Sequence, residues 1–327
     1  MFSSENTVLS LGVSMALHVI VGAGPVGSAT ARLLAARGEE VRLITRRGGG
    51  PALEGVRLIA ADAADAATLT RHTAGAAALY SCAGPAYHRW PTDWPPLGAA
   101  LRHAAESSGA VLVTTGNLYA YGAVDGPMTE QLPARPNSVK GEVRAKLWAD
   151  ALTAHEAGRI RTAEVRGSDY LGAGTQSAFT ALVLPKVLAG KRASAPADLD
   201  APHSWTHVGD VARTLVAVAA DERAWGRPWH VPTAPAVSLR RLATRAAELA
   251  GAPAARVTTM PALALRLAGL FNPAAREMAE VQYQLRRPFV LDSSAATAAF
   301  GIEPTPTDDA LRETIAAMPG ASLLRPN

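Results

Sequence analysis

The sequence predicts an α/β fold, a doubly wound parallel sheet with a small, mostly helical C-terminal cap over the strand ends. Three observations predict it. The apolar, β-branched run Leu17–Val21 leads into a glycine-rich turn and then into a helical segment of small residues. A second apolar run follows at 41–45, and strand and helix patterns alternate along the rest of the chain. Such alternation is typical of a parallel sheet with helices on both faces.

The turn after the first strand has the spacing G-x-G-x-x-G, with Gly22, Gly24 and Gly27 at the glycine positions and Pro25 and Val26 between the last two. Gly22 would allow the tight turn, Gly24 the approach of a pyrophosphate, and Gly27 close packing of the helix on the strand. The helix N-terminus would offer free N–H groups to the phosphates. In this context the motif predicts a Rossmann fold that binds a dinucleotide. The alternative is a turn that only packs a helix onto a sheet.

The end of the second strand indicates which dinucleotide. An NAD site has an acidic residue there, whereas this chain has Thr45 followed by Arg46 and Arg47. Two guanidinium groups suit a 2′-phosphate, which they can bind with charge-assisted hydrogen bonds. We therefore expect NADP(H) as the cofactor, with NAD(H) less favoured. The alternative is a solvated arginine pair at the start of the loop 48–51.

Composition excludes several classes of protein. Of 327 residues, 48% are hydrophobic and 18% charged, so a substantial core can form and disorder is not expected. The net charge of +4 comes from scattered arginines without a dense basic run, which argues against nucleic-acid binding. The single cysteine, Cys82, excludes internal disulfides and a cysteine-rich metal site, and fits a reducing cytoplasm. No stretch is apolar enough to span a membrane, and no histidine spacing indicates a metal site.

Domain boundaries follow from these patterns. Residues 1–14 resemble a loose leader without signal-peptide features, and Met15 is an alternative start. Residues 15–170 are predicted to form the dinucleotide-binding core. In the remainder, 171–327, about 202–232 would complete the sheet, and about 171–201 and 233–300 would form a substrate cap.

The third and fourth strands, predicted at 55–62 and 76–84, bring further residues to the carboxyl ends of the sheet. Asp62 would either face the adenine or cap the following helix at 63–70. The fourth strand runs into a turn of small residues, Cys82, Ala83 and Gly84, at the edge where open α/β sheets bind ligands.

The segment 85–96 is rich in proline and aromatic residues. Its prolines predict a loop, because they exclude a regular helix or a central strand. Tyr87 and Trp90 could form a substrate wall on this loop, or could only anchor the loop to the body. Further helices are predicted at 97–108 and at 238–250, the latter with Ser238 as N-cap. Two more helices are predicted to end at about 155 and at 220. Further strands are predicted at 110–115, 161–165, 227–231 and 256–260.

Several short motifs occur in a fixed order along the chain: the glycine turn at 22–27, Asp62, Tyr119-Ala120-Tyr121-Gly122, the segments 166–172 and 207–212, and the ending 291–305. From about residue 16 to 319 the chain resembles the extended short-chain dehydrogenase/reductase superfamily. The resemblance is closest to NAD-dependent epimerase/dehydratase-like members of its atypical branch. It implies a sheet of this kind with a substrate cap, and such folds often pair through two long helices, so a homodimer is possible.

The resemblance also implies a catalytic serine or threonine together with Tyr-x-x-x-Lys. In that chemistry the tyrosine moves a proton while the nicotinamide moves a hydride, and the lysine lowers the tyrosine pKa and holds the ribose. None of the six tyrosines of this chain has a lysine four positions later. By analogy with the motif, Lys140 and Arg144 take the places of that pair, although a register shifted by two would pair Glu142 with Lys146. Asn117 takes the place of the hydroxyl residue.

Either the proton donor differs in this chain, or hydride transfer is not the reaction. Lys140 and Arg144 share one helix face, and their mutual repulsion would favour a neutral amine suited to acid–base work. Asn117 could hold a substrate carbonyl. The alternative is that both cations bind only ribose, phosphate or solvent. Tyr121 is a further candidate acid, although a buried structural role is favoured. Residues expected to line the substrate site are Tyr87, Trp90, Asn117 and Tyr170.

His207 and Asp210 could suggest a catalytic pair, but we interpret Asp210 as a helix cap and His207 as a residue packed on the sheet. The sequence therefore predicts an NADP(H)-dependent oxidoreductase acting on a carbonyl, hydroxyl or imine of a small, apolar or aromatic molecule. Two alternatives stay open. One is an isomerase, cyclase or lyase without net redox. The other is a non-enzymatic NADP(H)-binding regulator.

Overall fold

The computed structural model describes residues 15–261, 265, 267, 270, 271 and 273–319. A seven-stranded parallel sheet forms its centre, in the order β11-β6-β5-β4-β1-β2-β3. Its strands are β1 (Leu17–Val21), β2 (Glu40–Thr45), β3 (Val56–Ala60), β4 (Ala78–Ser81), β5 (Val111–Asn117), β6 (Thr162–Gly167) and β11 (Pro228–His230). The strand order reverses between the neighbours β1 and β4, so the chain leaves them toward opposite edges of the sheet, which opens a crevice at their carboxyl ends.

Helices cover both faces of this sheet. Their bounds are α1 (Pro25–Ala36), α2 (Ala66–Thr73), α3 (Trp90–Ser108), α4 (Val139–Glu156), α5 (Leu184–Leu188), α6 (Val208–Ala220), α7 (Leu239–Leu249), α8 (Pro273–Glu280), α9 (Tyr283–Arg286), α10 (Ser294–Phe300) and α11 (Thr307–Ala316). Helices α2, α3 and α4 pack on one face, and α1 and α6 on the other. Alternate residues of β1 show the division, because Val19 and Val21 enter one core while Ile20 enters the other.

The C-terminal region adds short strand pairs and a third core. The pairs join β7 (Asp169–Leu171) to β10 (Trp205–His207), β8 (Ala193–Ala195) to β13 (Val257–Thr259), and β9 (Pro202–His203) to β12 (Val237–Ser238). The core centres on Phe179, Trp205, Leu242 and Leu311. This arrangement confirms the predicted fold class, a doubly wound Rossmann sheet with a helical C-terminal region.

The loop predicted at 85–96 is wrong, because a short 3₁₀ turn at Tyr87–Arg89 leads directly into α3 at Trp90. Pro91 is the second residue of that helix, where an N–H would have no intrahelical acceptor. Pro95 and Pro96 lie on the exposed side of α3. Each lacks the N–H that would bond to the carbonyl four residues earlier, and those carbonyls belong to exposed residues as well. Trp90 and Trp94 are buried one turn apart and anchor the helix on the sheet.

The alternative that Asp62 caps a helix and the cap predicted at Asp210 are also wrong. Asp65, not Asp62, caps α2, because its Oδ1 accepts a hydrogen bond from the Thr68 N–H at 3.1 Å. Asp62 instead makes a local turn, in which its Oδ1 accepts from the Ala64 N–H at 3.0 Å. The cap predicted at Ser238 is confirmed, since its side chain accepts a hydrogen bond from the backbone N–H three residues later.

Asp210 caps no helix either. It is buried in the first turn of α6, and its Oδ2 accepts a hydrogen bond from the Thr305 N–H at 2.7 Å. His207 contacts Glu313 through Nε2, at 2.7 Å from Oε2, rather than packing on the sheet. Both residues therefore join α6 to the C-terminal segment of the chain.

The predicted leader, 1–14, lies outside the described residues. Within the described part of the chain, we find no helix with the length and apolar character needed to span a bilayer.

Candidate functional site

The glycine turn has the geometry that its spacing predicts. Gly22 has φ +100°, which disfavours any residue with a side chain. A Cβ on Gly27 would lie 1.9 Å from the Gly22 carbonyl oxygen, so α1 packs directly on the turn. A Cβ on Gly24 would meet no atom within 4 Å, which leaves this side of the turn open. Helix α1 begins at Pro25 with no acidic residue in its first turn, and its second residue, Val26, is buried. The turn therefore fits a diphosphate.

Arg46 and Arg47 lie just beyond the carboxyl end of β2, and both are exposed. The loop that follows folds back on the glycine turn, since a Cβ on Gly50 would lie 3.5 Å from the Ala23 Cβ. Among the described residues, neither guanidinium group has an ion-pair or hydrogen-bond partner. These two guanidinium groups lie next to a turn that fits a diphosphate, and they suit a 2′-phosphate. Asp62 is exposed near the end of β3, on the same edge of the sheet.

The turn after β4 forms the other wall of the crevice. A Cβ on Gly22 would lie 2.7 Å from the Ala83 backbone, so the turn of Cys82, Ala83 and Gly84 packs against the glycine turn. The Cys82 thiol accepts a hydrogen bond from the Thr115 hydroxyl at 3.7 Å. Burial raises the pKa of Cys82 to about 11, so the thiol stays protonated at neutral pH. Cys82 is therefore a wall residue and not a nucleophile.

Asn117 is the last residue of β5, at the same edge of the sheet. Its Oδ1 accepts a hydrogen bond from the Tyr119 N–H at 3.1 Å, which fixes the side-chain amide. No described residue accepts from its Nδ2. The amide N–H₂ is therefore available as a donor to a bound oxygen.

Lys140 is only 2% exposed, and its Nζ lies between the carboxylates of Glu277 and Glu280 on α8. Its backbone N–H also donates to the Glu280 Oε1 at 2.9 Å, and its Nζ is 5.4 Å from the ring centre of Tyr87. The predicted repulsion between Lys140 and Arg144 is wrong, because the Lys140 ammonium group forms ion pairs with two carboxylates. A lysine held in this way is not free for acid–base work.

Arg144 has different partners on the same helix. Its Nη1 donates to the Thr115 carbonyl at 3.1 Å, and its guanidinium carbon is 4.8 and 4.3 Å from the ring centres of Trp90 and Trp94. Burial lowers the pKa of Arg144, while the charge of Glu164 opposes that effect. Its Nε is buried and has no hydrogen-bond partner among the described residues. The guanidinium group is thus held between α3 and the sheet, and contributes a positive charge beneath the crevice.

Tyr121 is buried, with its hydroxyl 2.8 Å from the His230 Nε2. The Arg166 guanidinium group lies 4.9 Å from its ring centre and pairs with Glu164 at 2.9 Å. Burial raises the pKa of Tyr121. The structural role favoured for this residue fits these contacts, whereas its role as a candidate acid gains no support from them.

The two aromatic residues predicted as a substrate wall differ in exposure. Trp90 is buried, and its indole N–H donates to the Pro85 carbonyl at 2.9 Å, so it anchors α3 rather than lining a site. Tyr87 packs edge-on against Trp90, at 4.9 Å between ring centres, yet remains 41% exposed. Its hydroxyl is 3.0 Å from that of Tyr119. Tyr87 is therefore the one of the two that a ligand could contact.

Tyr170 follows the end of β6, on the strand β7. A Cβ on Gly167 would lie 2.8 Å from the Tyr170 Cε1, so the phenol ring crosses that glycine. Gly167 is the register partner of Asn117. The Tyr170 ring therefore lies over the strand end next to that of Asn117.

Comparison of the sequence with models of protein families identifies a family for this chain. The model of the NAD-dependent epimerase/dehydratase family matches residues 18–231. The chain belongs to that family. A search of curated protein sequences found no match.

Several solved structures share the fold of this chain. MoeE5 in complex with UDP-glucuronic acid and NAD is 21% identical, with a TM-score of 0.74, covering 91% of this chain and 97% of its own. UDP-glucose 4-epimerase from Thermotoga maritima, with UDP-glucose, is 15% identical, with a TM-score of 0.75, covering 92% and 98%. dTDP-glucose 4,6-dehydratase from Bacillus anthracis, in complex with NAD, is 15% identical, with a TM-score of 0.73, covering 92% and 96%. At these identities the likeness supports the fold alone.

The sequence did not predict the acidic partners of Lys140, which stands at a position of the Tyr-x-x-x-Lys motif. Glu277 and Glu280 lie 137 and 140 residues beyond Lys140, too far along the chain for any local pattern to connect them. The buried pair Glu164 and Arg166 did leave a signal. Two opposite charges at alternate positions of an apolar strand share one face of the sheet.

Proposed function

We propose that this member of the family is an NADP(H)-dependent oxidoreductase that acts on a carbonyl, hydroxyl or imine of a small, apolar or aromatic molecule. One observation carries the cofactor assignment. The glycine turn is open at Gly24, and two guanidinium groups without partners among the described residues, Arg46 and Arg47, lie beyond the adjacent strand. A carboxylate at that strand end would instead favour NAD.

Each residue of the crevice has a role in this proposal. Gly24 and the first turn of α1 would hold the diphosphate, and Arg46 and Arg47 the 2′-phosphate. A bound nicotinamide supplies or accepts a hydride. The Asn117 amide donates a hydrogen bond to the substrate oxygen and so stabilises negative charge that develops there. The exposed ring of Tyr87 suits an apolar or aromatic substrate.

Calorimetry with the double variant Arg46→Ala, Arg47→Ala tests the cofactor assignment. We expect NADPH affinity to fall by about 100-fold or more, because two contacts to the 2′-phosphate are lost and hydrogen bonds to charged groups contribute about 1.5–3 kcal/mol each. NADH affinity should stay unchanged. Arg57→Ala removes an exposed arginine from β3 and serves as the matched control. An equal loss for both nucleotides would refute the 2′-phosphate role, and no heat with either would refute nucleotide binding itself.

A second candidate is isomerisation or dehydration without net redox. The family description favours it, and so do similar structures that are named as epimerases and dehydratases. Incubation with UDP-glucose or dTDP-glucose and NAD⁺, followed by NMR of the sugar, tests this candidate. A new sugar product with no change in nicotinamide absorbance would support it and overturn the first proposal.

A further inference from the structure

We propose that Tyr170 is the proton donor of this site and replaces the tyrosine that a Tyr-x-x-x-Lys motif would supply. This inference rests on the proposed function and adds the residue that the missing motif leaves open. It assigns the donor to the end of β6 rather than to helix α4.

The position of the ring is the first argument. The phenol of Tyr170 crosses Gly167, the last residue of β6, and a Cβ at 167 would lie 3.4 Å from its hydroxyl oxygen. Gly167 is in register with Asn117, whose amide is the other donor at this edge. Two donors at adjacent strand ends can address one substrate oxygen. A side chain at 167 would displace the ring, so glycine is required there for packing.

The state of its hydroxyl is the second argument. In the described part of the chain, the Tyr170 hydroxyl has no hydrogen-bond partner, and it is not sealed from solvent. The other five of the six tyrosines are either hydrogen-bonded, as are Tyr80, Tyr87, Tyr119 and Tyr121, or sealed without a partner, as is Tyr283. Among the described residues, Tyr170 is thus the tyrosine whose hydroxyl has no partner and is not sealed from solvent, on a side chain that is only partly buried.

The charges around the phenol are the third argument. Burial raises the pKa of Tyr170, so the site has to stabilise the phenolate that proton donation leaves behind. The groups that face it are Arg144 of α4, Cys82 after β4, Tyr87, and Asp169 of its own strand. Among these, the positive charge of Arg144 stabilises the phenolate. The charge of Arg144 therefore opposes the effect of burial and favours proton donation by Tyr170.

The step balances for reduction of a carbonyl. The carbonyl carbon receives a hydride from the reduced nicotinamide, and the carbonyl oxygen takes the proton of Tyr170. The O–H bond of the phenol breaks with its electron pair left on the phenolate, and a new O–H bond forms on the product. Water then returns a proton to the phenolate.

Fluorine NMR tests the position of Tyr170 without a known substrate. The protein would carry fluorotyrosine at its six tyrosines. The resonance that is missing in Tyr170→Phe identifies this residue. We expect that resonance to shift on addition of NADP⁺ and to shift differently with NADPH, because the two nicotinamide rings differ in charge. The Tyr283 resonance, identified with Tyr283→Phe, should not move. An unmoved Tyr170 resonance, in a sample where calorimetry shows NADP⁺ bound, would overturn the inference.

Kinetics test the proton transfer. Benzaldehyde and acetophenone serve as carbonyl probes with NADPH. We expect Tyr170→Phe to lower kcat by about 100-fold or more with an unchanged Kd for NADPH, since a lost proton donor has an effect of that size. Tyr283→Phe, which removes a buried hydroxyl without a partner, should keep the wild-type rate. A wild-type rate in Tyr170→Phe would overturn this inference alone, whereas absence of NADPH binding to the unmodified protein would overturn the proposed function.

Discussion

Two glycines of one motif lie in different surroundings. The contact at Gly27 is internal, because any Cβ there would collide with the carbonyl oxygen of Gly22. Gly24 has free space around it and a φ of −66°, which alanine adopts readily. The fold therefore requires glycine at position 27, whereas nothing in the packing requires it at position 24.

Alanine at each of these glycines separates packing from ligand binding. We expect Gly27→Ala to cost about 1–3 kcal/mol of unfolding free energy, the usual range for overpacking. Gly24→Ala should leave the thermal midpoint unchanged and weaken NADPH binding, because its methyl group would occupy the open side of the turn. Thermal unfolding and calorimetry of both variants check these outcomes. Equal stability of the two variants would contradict the close packing of α1 on the turn.

Among the helices, the ion pairs of Lys140 connect α4 to α8. The ammonium group is almost fully buried, whereas the side chains of Glu277 and Glu280 are 19% and 26% exposed. A buried charge that loses its partners carries a large desolvation cost, but partly exposed carboxylates can turn toward water. The cost of breaking this contact therefore depends on which side is removed.

Urea unfolding of two variants tests this asymmetry. The double variant Glu277→Gln, Glu280→Gln should lose about 3 kcal/mol, the lower part of the range for an orphaned buried charge. Lys140→Met should lose less, because an apolar side chain fits the same enclosed position. Lys146→Met, on the exposed side of α4, should be neutral. A larger loss for Lys140→Met than for the double variant would contradict the interpretation.

The first part of helix α3 was predicted as a loop, and its structure shows why. Its three prolines are breakers in any local scheme, yet two of them lie on the solvent side and the other in the first turn. Burial of Trp90 and Trp94 supplies stabilisation of about 1.5–3 kcal/mol for each large side chain. Tertiary packing thus outweighs the local preference, and packing partners are not visible along the chain.

Across the molecule, His207 and Asp210 join the Rossmann core to the C-terminal segment. Burial by itself would lower the pKa of His207, but the neighbouring Asp210 carboxylate and the hydrogen bond to Glu313 outweigh it and raise the pKa. The folded state therefore holds this proton more tightly than the unfolded chain. Its contribution to stability is full below the unfolded value of about 6.5 and is lost as pH rises through the raised native value.

Thermal unfolding across a pH series checks this dependence. We expect His207→Gln to unfold at a lower temperature than the wild type below about pH 6.5, with a difference that shrinks as the solution becomes alkaline. His88→Gln, which changes an exposed histidine, should follow the wild type at every pH. A difference that grows with pH would contradict a raised native pKa for His207.

Local sequence was enough to predict the Rossmann sheet, the glycine turn and the arginine pair beyond β2. Each depends on spacing within a few residues, where the backbone geometry follows directly from residue type and order. Folding in three dimensions was needed to reveal that carboxylates more than 130 positions away enclose Lys140, and that the Tyr170 ring crosses Gly167, the register partner of Asn117. Those contacts join distant segments, because the choice of partner depends on how helices and strands pack and not on neighbours along the chain.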